Sequence, residues 1–139
     1  MGGSVMICTY ENYLKEPYAI SFEECLKIQE MMISEIKDCD ADTIEDYNEL
    51  VEKCTSYAKM RADWTYHDAS WKMDNDSLRT SKHDVVIGKF NQLARWLKKC
   101  GKEATWRDLL GYEEDNLYNR KRIGDFACFL AYIHGINGR

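Results

Sequence analysis

Pro17 is the only proline, so everything beyond it lacks the residue that most forcibly ends a helix. With eight glycines as the remaining breakers, the chain favours long helices over many short strands. Helix starts are then marked by four boxes: Ser21 with Glu24, Thr43 with Asp46, Ser81 with Asp84, and Thr105 with Asp108. In such a box the hydroxyl accepts from the third backbone N–H of the helix while the acidic residue reaches back, satisfying donors a helix start leaves unpaired.

Each box heads an apolar run at helical spacing. Ser21 opens a helix carrying Phe22, Cys25, Ile28, Met32 and Ile36, with a stop near Asp38. Thr43 opens a second with Ile44, Tyr47, Leu50, Val51, Cys54, Tyr57, Trp64 and Trp71 on one side. Unbroken to Trp71, it is about 42 Å long at 1.5 Å per residue. Residues 74–80 read as a polar connection, and Ser81 opens a third helix with Val85, Val86, Phe90, Leu93, Ala94, Leu97 and Cys100, stopped by Gly101. Thr105 begins a short helix ending at Gly111, and the last helix runs from about Asn116 to Gly135. No stretch sustains period-2 alternation, and no internal repeat appears. The expectation is an all-α fold of four main helices plus one short helix, as an antiparallel bundle or orthogonal array. Residues 1–20, rich in tyrosine, are read as an N-terminal arm and residues 21–139 as a single helical domain.

No apolar run approaches the length of a membrane span, and no basic segment leads into an apolar stretch at the start. The expected address is the cytoplasm, with no membrane association. Six cysteines are spread without C-x-x-C spacing, which predicts reduced thiols serving as small hydrophobes and disfavours zinc. No cofactor is implied. Residues 1–76 carry net −10 and residues 77–139 net +5, an asymmetry that either pairs internally or serves an electrostatic partner.

Three stretches carry candidate chemistry. Asp38, Asp40, Asp42, Asp46 and Glu49 stand at positions 1, 3, 5, 9 and 12 of an EF-hand-like loop. Thr43 occupies the position that the sharp turn reserves for glycine, so Asp40, Asp42, Glu45 and Asp46 are expected to decorate a helix N-terminus and the stretch to bind no metal. Lys98, Lys99, Lys102, Arg107, Arg120, Lys121 and Arg122 form a basic set, and residues 105–134 have a helix-turn-helix-like outline that would present the start of the last helix to DNA. Glu113, Glu114 and Asp115 stand against that reading, where phosphates would lie. Arg61, Asp63, Trp64, His67 and Asp68 form a third group, in which His67 one turn from Asp63 has acid–base spacing.

Gly124, Cys128, Ala131 and Gly135 make a small-residue stripe, expected to receive a neighbouring helix or ring, with Gly88 in a similar role. Gly124 could also floor a pocket walled by Trp64 or Trp106. Four tryptophans and nine tyrosines exceed what a core of this size hides, and exposed aromatics favour interfaces. The leading expectation is a small non-enzymatic helical protein acting through protein–protein contacts, with a partner or as a homodimer. The alternatives are a nucleic-acid-binding protein using the basic half, then a small-molecule enzyme centred on Arg61, Asp63 and His67.

Overall fold

The structure, a computed structural model, describes residues 19–64, 66–111 and 117–134. The expected N-terminal arm, apart from Ala19 and Ile20, lies outside them, as do Gly135 and the acidic run 113–115. Among the described residues, five helices follow in order: α1 (Phe22–Ile36), α2 (Ala41–Trp64), α3 (Ala69–Lys99), α4 (Trp106–Leu109) and α5 (Leu117–Ile133). There is no strand among the described residues. The fold is all-α, four main helices and one short one, as the capped periodic runs predict.

Side-chain bonds fix the packing. Gln92 reaches Asp46 at 2.7 Å, Lys89 reaches Glu49 at 2.6 Å and Lys82 reaches Ser56 at 2.6 Å. Descent along α3 matches ascent along α2, so the two are antiparallel. Tyr47 meets His134 and Tyr57 lies against Gly124, which sets α5 antiparallel to α2 as well. Nine successive residues of α5, Ile123 to Ala131, are buried, Asp125 among them. A helix enclosed around its whole circumference is the axis of the molecule. A chain of rings runs through the core: Phe22 to Phe129 at 5.3 Å, Phe129 to Phe126 at 5.9 Å, Phe126 to Phe90 at 5.8 Å and Phe90 to Trp106 at 6.2 Å. It joins α1, α5, α3 and α4.

One helix start and one helix stop follow the expected chemistry, and the starts at Thr43 and Thr105 do not. Ser21 accepts from the Glu24 N–H at 3.1 Å, and Gly101, at φ +81°, ends α3 in a Schellman turn, with the Lys102 N–H bonded to the Leu97 carbonyl at 3.0 Å. The cap of α2 is Asp40 rather than Thr43: its carboxylate accepts both the N–H and the hydroxyl of Thr43, at 2.9 and 2.8 Å. Thr105 makes no side-chain cap bond, and α4 is a single turn pinned by the buried Trp106.

The largest departure is at the α2–α3 junction. α2 stops at Trp64 instead of running to Trp71, and residues 74–80 are helix, not connection. Asp68, extended at φ −81° and ψ 177°, caps a new helix by accepting the Trp71 N–H at 2.9 Å. Nothing in residues 74–80 breaks a helix, and the Asp76–Arg79 pair at 3.1 Å supports one. Ser81 therefore lies mid-helix. Gly88 is also corrected: a Cβ there would meet nothing within 4 Å, so it receives no neighbour. Ile44 and Val85, assigned to inward faces, are 42% and 43% exposed.

Candidate functional site

Where α2, α3 and the first turn of α5 converge, a cleft of about 450 Å³ is lined by Tyr57, Arg61, Arg79, Thr80, His83, Arg120 and Lys121. Two of its walls, Tyr57 and Arg61, lie against α5 at Gly124, where a Cβ would stand 2.7 Å from the Tyr57 hydroxyl and 3.1 Å from Arg61 Nη1. The expected close approach at Gly124 is thus real, but the neighbours are Tyr57 and Arg61 rather than Trp64 or Trp106. Arg61 donates to the Tyr57 hydroxyl at 2.6 Å and stands 3.7 Å from Asp125, a carboxylate with no exposed side-chain surface. Burial raises the Asp125 carboxyl above the usual carboxylate range, opposed by the Ala19 N–H bonded to it at 2.7 Å and by nearby Arg61.

His83 is committed on both ring nitrogens. Nε2 faces the Arg120 carbonyl at 2.8 Å and so carries the proton, while Nδ1 accepts from Arg120 Nη2 at 3.4 Å. Burial lowers its pKa, keeping the ring neutral. Arg120 also pairs with Asp84 at 2.9 Å. The Tyr57 phenol is raised by burial far above its usual value. With both His83 nitrogens occupied, that ring has no free lone pair to act as a general base.

Arg79 joins this cleft to an aromatic ledge, lying 4.3 Å over the Trp64 ring. Trp64 meets Trp71 edge-on at 5.5 Å, and His67 stacks on Trp71 at 3.7 Å. Beside them Tyr66 is 61% exposed and Met73 81%. From Ala69 to Lys82 α3 has no buried residue, so this end of the hairpin is a surface element.

Of the five sequence candidates, only Arg61 lines the cleft. Asp68 is spent on the α3 cap, His67 and Trp64 belong to the ledge, and Asp63 accepts the Tyr66 N–H through its backbone carbonyl. The basic set is divided three ways. Lys98, Lys99 and Lys102 sit at the far end of α3, where Lys102 pairs with Asp38 at 3.5 Å. Arg107 donates to Asn91 at 2.7 Å, and Arg122 is tied to the Ala19 and Leu109 carbonyls and to Glu24. Arg120 and Lys121 alone reach the cleft. Tyr57, Arg79 and His83 escaped the sequence reading: Tyr57 passes for core, and the i, i+4 spacing that puts Arg79 and His83 on one helix face shows only once residues 74–80 are helical.

Of the EF-hand-like carboxylates, Asp42, Asp46 and Glu49 lie on the helix beginning at Ala41, while Asp40 caps it and Asp38 precedes it. Asp38, Asp46 and Glu49 bond Lys102, Gln92 and Lys89 in turn, and among the described residues no three His, Cys, Asp or Glu side chains are grouped to hold a metal. No helix among the described residues is long and apolar enough to cross a membrane. No family model matches the chain, and neither a curated protein nor a solved structure does.

Proposed function

We propose that this protein is a non-enzymatic binding module that receives an acidic, aromatic-bearing segment of a partner protein across the cleft and the adjoining ledge. The observation that carries the reading is Arg79, which lines the cleft with Arg61, Arg120 and Lys121 and covers Trp64 of the ledge. On a chain of net charge −5, this is a local concentration of cations beside exposed aromatic surface. Such surfaces suit anchoring rings and charge-assisted bonds to carboxylates. The commitment of both His83 nitrogens argues for binding over catalysis. A duplex is a poorer fit, because α5 is enclosed beyond its first turn and the basic set is scattered.

The test is a titration of tryptophan fluorescence with a short synthetic peptide alternating Glu and Phe, alongside duplex DNA. The peptide is expected to change the signal with an affinity that falls as salt rises, and Arg79→Glu with Lys121→Glu should abolish the response. Tighter binding of the duplex would transfer the role to nucleic acid. Silence with both probes would remove the cleft as a working surface. A homodimer is the other form of a protein partner: concentration-dependent mass in sedimentation, lost in Met73→Glu, would make the ledge a self-contact.

A further inference from the structure

At the end of the bundle remote from the cleft, the loop between α1 and α2 meets the end of α3. Cys39 lies in that loop and Cys100 is the C-cap residue of α3. Both side chains are half-buried, and contacts on either side bring the two residues together: Lys102 pairs with Asp38 at 3.5 Å, and the Thr43 hydroxyl lies 3.6 Å from the Cys100 sulfur. The other described cysteines, Cys25, Cys54 and Cys128, are fully buried in the core. We infer that Cys39 and Cys100 form an oxidisable dithiol, a modification site for small-molecule disulfides that closes reversibly into a bond tying the α1–α2 loop to α3. This inference stands apart from the proposed binding surface.

The surroundings give the two sulfurs different roles. Cys39 donates to the Glu35 carbonyl at 3.3 Å, one turn back. Burial and the contact with Cys100 push its thiol up to about 11. Cys100 is lowered, first by the neighbouring Cys39 and then by Thr43, whose hydroxyl lies 3.6 Å away, while the Asp40 carboxylate opposes. Cys100 is the attacking sulfur and Cys39 the resolving one. The Cys100 thiolate attacks one sulfur of a small disulfide, that S–S bond breaks, and one small thiolate leaves. Cys39 then gives up its proton and attacks the Cys100 sulfur of the mixed disulfide, expelling the second small thiolate. Two protein thiols are oxidised, the small disulfide is reduced to two thiols, and the protons released by the cysteines are taken up by the leaving thiolates.

The experiment incubates folded, fully reduced protein with oxidised glutathione, blocks free thiols with an alkylating agent, and maps peptides by mass spectrometry. The expected product has lost two hydrogens, carries no glutathione, links Cys39 to Cys100, and reverts with dithiothreitol. Cys39→Ser should trap glutathione on Cys100, whereas Cys100→Ser should leave Cys39 largely unmodified. Circular dichroism of each variant confirms that the fold is intact before oxidation. A glutathione adduct that persists on wild-type Cys100 would overturn the proposal. So would a bond from either residue to Cys8, or two thiols that stay unreacted until the protein is unfolded.

Discussion

Glu35 holds the junction of α1 with α4 through one carboxylate. Its oxygens accept the Ala104 N–H at 3.2 Å and the Trp106 indole N–H at 3.0 Å. Ala104 is held at φ 54°, a left-handed conformation that costs an L-residue about 1–2 kcal/mol, so the bond to its N–H helps hold a strained turn. Glu35→Ala leaves two donors without their acceptor beside a fully buried indole, and the expected loss is about 1–3 kcal/mol in urea unfolding. Glu35→Gln keeps one oxygen and should lose less. Gly124 makes the complementary case, where a missing group matters. Alanine in a helix gains about 1 kcal/mol over glycine at an open site. Here the added methyl would stand 2.7 Å from a hydroxyl on a ring that is 4% exposed and packed edge-on to His83 at 5.3 Å. Gly124→Ala should therefore lower the urea midpoint, and Gly124→Leu should lower it further, by about 1–3 kcal/mol. A higher midpoint in both variants would mean that Tyr57 and Arg61 do not lie against α5.

Among the elements, α3 shows what a sequence leaves ambiguous. Its second half is legible: Val86, Phe90, Leu93 and Leu97 repeat at helical spacing and are buried. Its first half buries nothing, so no apolar periodicity announces it, and residues 74–80, polar except for Leu78, read as a loop although they contain no breaker. The start was hidden twice over. Asp68 is one of several acidic residues with nothing to mark it as a cap, while Ser81 with Asp84 imitates a helix start in the middle of one. Thr43 with Asp46 misleads in the same manner, because Asp40 lies three residues before Thr43 and captures the same N–H. The cleft was only partly legible for the related reason that its walls come from three helices, and a sequence shows neighbours along one helix alone. The two α3 caps are separable by experiment. Asp68→Ala should cost about 1 kcal/mol, the usual loss of an N-cap. Ser81→Ala should be neutral or slightly stabilising, since alanine suits a helix interior better than serine. Amide exchange protection in residues 74–80 that is weakened by Asp68→Ala but kept in Ser81→Ala would check the same point on the element itself.

Across the whole molecule, the acidic and basic halves meet within one fold. Lys89 with Glu49, Lys102 with Asp38 and Arg122 with Glu24 each join a cation of the second half to a carboxylate of the first. Exposed pairs contribute little singly, so the strongest pH dependence should come from buried groups. Asp46 and Asp125 are raised, chiefly by burial. A raised carboxyl favours folding most when protonated, so its contribution is present in acid and lost as pH rises through its folded pKa. His83 works in the opposite direction. Its pKa is lowered, first by burial, while the bond to the Arg120 carbonyl opposes and the Arg120 charge adds to the lowering. The neutral ring is the form the fold accommodates, so its contribution is complete above the ordinary histidine value of 6.5 and is lost as pH falls from there towards the lower folded value. His83→Gln retains an N–H donor for the Arg120 carbonyl and cannot take up a proton. Urea unfolding of wild type and His83→Gln at pH 7.5 and then through the range below 6.5 isolates this group. The wild type is expected to lose more stability than the variant over the acid part of that range, and the two curves should run parallel above it. Parallel curves throughout would mean that His83 is as free to protonate in the fold as in the unfolded chain, and that the His83–Arg120 contact does not hold the ring neutral.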